Sequence, residues 1–223
     1  VIVCPQLNAQ QHQLRSIFDQ VFDDLLVETG QKSYNISLGL PLSDYPLVQD
    51  LLTLLTLYGQ IKSDCIQTST FNQMLQSVYI AGHQTERSAR SLLVNKTLKL
   101  SVESFNLEQI DEYLSACPIL LSIINKIKTL DITRRSLSEH LLHFNALLET
   151  WGFASDRSLS STEYQLFNKY LTSSLSLNQI SLHQKKTDHN SALTLLKNIT
   201  NQTIFQAQSA PTNIQVLGAL EAE

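Results

Sequence analysis

The chain has 223 residues, 43% hydrophobic and 16% charged, and its 16 Lys and Arg against 20 Asp and Glu give a formal charge of -4. That length fits one large domain or two small ones, and the balance lacks the basic excess from which general nucleic-acid binders draw most of their affinity. Six Gly and five Pro lie far below average use of about 7% and 5%. Such scarcity speaks against loop-rich all-β folds and phosphate-cradling α/β folds, and the abundant leucine suits helices packed on helices.

The first element runs from about residue 7 to residue 28. Leu14, Ile17, Phe18, Val21, Phe22, Leu25 and Leu26 recur at steps of three and four, while Arg15, Asp19, Gln20, Asp23 and Asp24 take the other face. This predicts an amphipathic helix, with Gly30 placed to cap it. Residues 31–46 read as a connector with room for a short strand, because Tyr34, Ile36, Leu38 and Leu40 alternate. Leu51, Leu52, Leu54, Leu55 and Leu57 make 47–58 apolar on several sides, which predicts a buried helix ended by Gly59. A third helix is expected within 61–81, with Cys65, Phe71, Leu75, Val78 and Tyr79 inward and Gly82 closing it. Thr85 is the expected cap of a fourth, carrying Ala89, Leu92, Leu93 and Lys96. Residues 98–102 are its frayed end or a short strand.

Asn106 and Gln109 form a variant capping box that opens a helix through Ile110 and Leu114. Pro118 breaks that helix or starts the next, which carries the stripe Leu120, Ile123, Ile124 and Ile127. Leu137, Leu141, Phe144, Leu148 and Trp151 follow with a period of about 3.5 residues. The Ser-rich stretch 154–162 is the best linker candidate. Ser160 and Glu163 make a capping box ahead of Phe167, Tyr170 and Leu171, and a last helix starts near Asn190 with Ala192, Leu195, Leu196 and Ile199. The expected fold is all-α, or mainly α with one or two short strands: an irregular bundle of about seven or eight helices. Residues 1–205 are expected to form a single helical domain with a sub-boundary near 154–162. Residues 206–223 would be a C-terminal tail docked on the chain itself or on a partner.

Motifs for chemistry are sparse. No GxxxxGK[ST], GxGxxG or GxSxG occurs, and every glycine stands isolated, so phosphate loops and nucleophile elbows are not expected. His140 and His143 lie three apart on a helix, a spacing that two zinc ligands could use. They sit about 60° and 120° from the centre of the apolar stripe, so His140 is expected to flank the core and His143 to face solvent. Asp111-Glu112 and Asp23-Asp24 read as solvated charges rather than an acid–base pair. Cys65 and Cys117 read as small apolar residues and not as nucleophiles. No catalytic residue, metal site or cofactor is expected.

Two basic groups remain: Arg87, Arg90, Lys96 and Lys99, and Lys126, Lys128, Arg134 and Arg135. Arg134 and Arg135 precede a helix N-terminus, where the dipole disfavours cations, a conflict that an acidic partner would resolve. Three cysteines without a CxxC suit a reducing compartment, four N-x-S/T sequons (Asn35, Asn95, Asn198, Asn201) argue weakly for secretion, and no apolar run reaches the roughly 18 residues of a membrane span. The chain begins at Val1 without Met, so further residues are expected upstream. The expected function is a non-catalytic helical adaptor or structural subunit of a cytoplasmic multiprotein assembly, binding other protein subunits through Arg87, Arg90, Arg134, Arg135, Ile214, Val216 and Leu217. The alternatives are a helical domain holding an apolar small molecule or cofactor between the helices at 47–58 and 119–130, or a helical enzyme or effector whose groups converge only in three dimensions.

Overall fold

A computed structural model describes residues 1–22, 33–100, 102–180, 186–206 and 214–218. Gly30 and the pair Asp23-Asp24 lie outside them. The chain is mainly helical, with a few short strands, and divides into two compact units: residues 42–203, and residues 1–41 with 204–223.

In the smaller unit, β1 (Ile2–Cys4), β2 (Tyr34–Ile36) and β7 (Ile214–Gly218) form a sheet in the order β1-β7-β2. Both pairings are parallel, with Val216 opposite Ile2 on one side and Ile36 on the other. Helix α1 (Leu7–Val21) covers the sheet, and the core consists of Leu7, Tyr34, Ile36 and Val216, with Leu14, Phe18, Phe22 and Ile214 packed around it. A second ladder joins β3 (Leu40–Pro41) to β6 (Ile204–Phe205). The apolar residues of the expected tail are therefore the central strand of this sheet. A parallel partner need not be near in sequence, which is why local patterning could not place it.

In the larger unit, α2 (Pro46–Lys62) is the central helix, with nine buried residues from Leu47 to Ile61. Each leucine fully buried there contributes about 1.5–3 kcal/mol by removal from water. Around it lie α3 (Thr68–Gln76), α4 (His83–Leu100), α5 (Leu107–Tyr113), α6 (Pro118–Thr129), α7 (Leu137–Thr150), α8 (Ser161–Ser174), α9 (Ser176–Ile180) and α10 (His189–Gln202), with β4 (Ile66–Gln67) paired to β5 (Ser104–Phe105). Capping boxes are complete at Asn106–Gln109, Ser136–Glu139 and Ser160–Glu163. Pro118 is the first residue of α6 and does not break a helix.

Local differences from expectation have identifiable causes. Helix α2 continues through Gly59, because the glycine serves packing and not termination: a Cβ there would lie 3.0 Å from Asn190 Oδ1 and 3.2 Å from His189 Cδ2. Cys65 is exposed, outside the apolar face assigned to it. The last helix is capped by Asp188, whose carboxylate accepts from Ser191 N at 2.9 Å, one turn-edge earlier than expected. Stretch 154–162 lies inside the larger unit. Arg157 there forms an ion pair with Glu163 and stacks on the Tyr79 ring at 4.8 Å, while Tyr79 Oη donates to Glu163 at 2.7 Å.

Gly152 ends α7 with φ +63, and a Cβ would stand 2.6 Å from that of Ala81. Left-handed backbone costs an L-residue about 1–2 kcal/mol before any overlap is counted. Gly152→Ala is therefore expected to lower unfolding free energy by about 2 kcal/mol or more. Urea unfolding followed by fluorescence of Trp151 would measure this, and a change below about 0.5 kcal/mol would contradict it.

Candidate functional site

The densest polar constellation lies where α2, α7 and α10 meet. His140 from α7 is fully buried, and its Nε2 donates to Thr187 O at 3.0 Å. His189, the first residue of α10, is 2% exposed and donates through Nε2 to Leu55 O at 2.9 Å. Because a carbonyl only accepts, both rings carry their proton on Nε2. Each leaves a buried Nδ1 without a hydrogen-bond partner, and His143 Nε2 is in the same condition. The Tyr58 ring joins the group, 5.2 Å from His143 and 4.9 Å from His189, and its hydroxyl donates to Asp131 O. Arg135 closes one side, paired with Asp131 at 2.8 Å and bridged through its backbone to Thr187.

His143 thus departs from the expected solvent-facing position, and His140, expected to flank the core, lies inside it. The wheel of α7 places His140 beside the apolar stripe; the Thr187 segment and the start of α10 then cover that flank. Burial, followed by the nearby Arg135 charge, holds His143 down at about 4. Burial also lowers His189, only partly offset by its bond to Leu55. Burial pushes Tyr58 up to about 12. These groups are kept neutral, and the bond from His189 to Leu55 O ties α10 to α2. Among the described residues, no group of three or more His, Cys, Asp or Glu is arranged to hold a metal ion.

A second buried polar site anchors α4. Glu86 Oε1 accepts from Ile119 N at 2.6 Å and Oε2 accepts from Arg90 Nη2 at 2.9 Å, while Arg90 Nη2 also donates to Ala81 O at 2.6 Å. The carboxylate caps the N-terminus of α6 from another helix, where the dipole favours negative charge. Proline at the first position of α6 leaves the next two amides as the ones needing an acceptor. Cys117 lies beside this site, fully buried, and burial pushes its thiol up, away from the thiolate form.

The residues expected to bind a partner fall into three groups. Arg90 is 2% exposed and committed to Glu86, so it cannot serve as a surface cation. Val216 is 0% exposed, Ile214 packs on the same core and Leu217 pairs with Val3, so this strand is occupied by its own sheet. Arg135 is half-buried and engaged with Asp131, whereas Arg87 and Arg134 are exposed. Lys128 is bound to Asp111, one of the carboxylates read as solvated.

Helix α4 shows a feature that the sequence pattern did not reveal. It packs chiefly on α3, and its buried stripe is Glu86, Arg90, Leu93 and Thr97. Thr97 Oγ1 donates to the buried Asn72 Oδ1 at 2.5 Å. Three of four inward residues are polar, and Leu92 and Leu98 point outward at 69% and 65% exposure. Of the residues expected on this helix, Leu93 is buried and Leu92 is not, because the inward stripe also holds the Glu86–Arg90 pair, which a hydrophobicity pattern does not show. Comparison with protein-family models, curated protein sequences and solved structures finds no match.

Proposed function

We propose that this chain is a non-catalytic helical subunit that binds other proteins within a larger cytoplasmic assembly. The observation that supports this reading is the polarity of α4, whose buried side is held by Glu86, Arg90 and Thr97 while Leu92 and Leu98 face solvent. A single exposed leucine is ordinary. Exposed leucines on a helix anchored by a buried ion pair remain on the surface, since turning them inward would bury Arg87 and lysines instead. Such a surface gains by being covered. The bonds of His140 to Thr187 O, His189 to Leu55 O and Glu86 to Ile119 N link distant parts of the larger unit, which suits a rigid support.

A tagged pull-down from native lysate at low and high salt, read by mass spectrometry, tests the proposal. Stoichiometric protein partners at low salt are the expected result, and retention at high salt would indicate apolar contacts. A protein recovered only as a monodisperse monomer would overturn it.

A further inference from the structure

The outward side of α4 has a shape and a charge of its own. At about 100° per residue, Leu92 shares one exposed row with Lys96 and Lys99, and Leu98 shares another with Arg87 and the half-buried Val94. Between the rows lie Ser88, Ser91 and Asn95, exposed short side chains along the outer side of the helix. Short residues let a second helix approach closely, and flanking leucines supply apolar contact on both sides. Lys96 is held in place, its Nζ 4.6 Å above the Tyr113 ring. No Asp or Glu occurs between Arg87 and Val102, and the one carboxylate before them on α4, Glu86, is buried against Arg90. On a chain of net charge -4, this face is locally cationic and apolar together.

We infer that the outer face of α4 receives an acidic amphipathic helix of a partner protein. The inference rests on the interaction reading above and names the surface and the chemistry of its occupant. The partner's apolar residues, spaced by three and four, lie between Leu92 and Leu98, and its carboxylates meet Arg87, Lys96 and Lys99. Charge complementarity selects this occupant over a second copy of the same face, which would set cation against cation. An anionic lipid surface is the competing target for a basic amphipathic face, and the experiment separates the two.

The test places a photo-crosslinking benzophenone residue at position 98, with position 142 on α7 as a control, in the full chain in native lysate. Leu142 is 71% exposed, so a crosslinker there is equally free to react. The expected product at position 98 is a partner segment, identified by sequencing, that carries net negative charge and apolar residues at three- and four-residue spacing. The double charge reversal Lys96→Glu with Lys99→Glu should lower its yield by about tenfold, whereas Lys126→Glu should leave it unchanged. Crosslinks to lipid, to a second copy or to a segment without acidic character would overturn the inference. So would an absent product, a yield indifferent to the reversal, or a glycan on Asn95 covering this face. Stoichiometric partners in the pull-down that never crosslink at position 98 would sink this face alone; an empty pull-down would sink the interaction reading with it.

Discussion

Glu86→Ala is expected to lower unfolding free energy by about 3–5 kcal/mol, the cost of breaking a buried ion pair by removing one partner. Both side chains are almost fully buried, at 5% for Glu86 and 2% for Arg90. Losing the carboxylate strands the guanidinium in a dry site and also removes the acceptor for Ile119 N and Leu120 N at the start of α6. Against a total stability of about 5–15 kcal/mol, this single change approaches the threshold of folding. Two further variants separate the causes. Glu86→Gln keeps an acceptor but not the charge and should fall between wild type and alanine. Glu86→Leu with Arg90→Met replaces both charges by apolar volume and should recover much of the loss. Trp151, the one tryptophan of the chain, is fully buried, so its fluorescence reports unfolding in urea. A loss below about 1 kcal/mol for Glu86→Ala would show that the pair is not the anchor of α4 and α6.

Acidification is expected to give the second large effect, through the histidine cluster. His143 is held at about 4 in the folded chain, below its ordinary 6.5. Between those values the unfolded chain binds a proton that the folded chain refuses, so stability is full above pH 6.5 and is lost as pH falls toward 4. At about 1.4 kcal/mol per unit, His143 alone accounts for about 3 kcal/mol over that range. His189, lowered chiefly by burial, acts in the same direction. Its position as first residue of α10 adds the positive end of a helix dipole against a second proton. Glu163 titrates later: against the opposing effect of burial, Arg157 and the Ser160 amide hold it at about 2, so it keeps its contribution above about pH 4.5 and loses it toward 2. Urea midpoints should therefore fall steeply from pH 6.5 to 4.5, before Glu163 begins to lose its contribution. His143→Gln should flatten that slope by nearly one proton. A wild-type midpoint constant over this interval would contradict the assignment of His143 and His189 as neutral rings.

Much of the local structure was legible because it is governed by neighbours in sequence. The capping boxes at Asn106 and Ser160 each join residues three apart, and the stripes of α6 and α7 repeat every turn. Helix α2 announced its burial through leucines on every side. The misplaced residues share one property: their environment comes from distant chain. Gly59 reads as a stop until His189, 130 positions later, needs the space beside it. His140 reads as a flank until Thr187 covers it, and Arg90 reads as a surface charge until the first turn of α6 docks on its helix neighbour Glu86.

Composition and periodicity by themselves determined a mainly helical chain, because helix formation and capping depend on contacts within about four residues. Only the tertiary structure decided which polar groups are buried, since a histidine, glutamate or arginine enters a core when a partner from elsewhere satisfies it. The same rule made Ile214–Gly218 a central strand. Its hydrogen-bond partners are the first residues of the chain and residues 34–36, a pairing that no local pattern encodes.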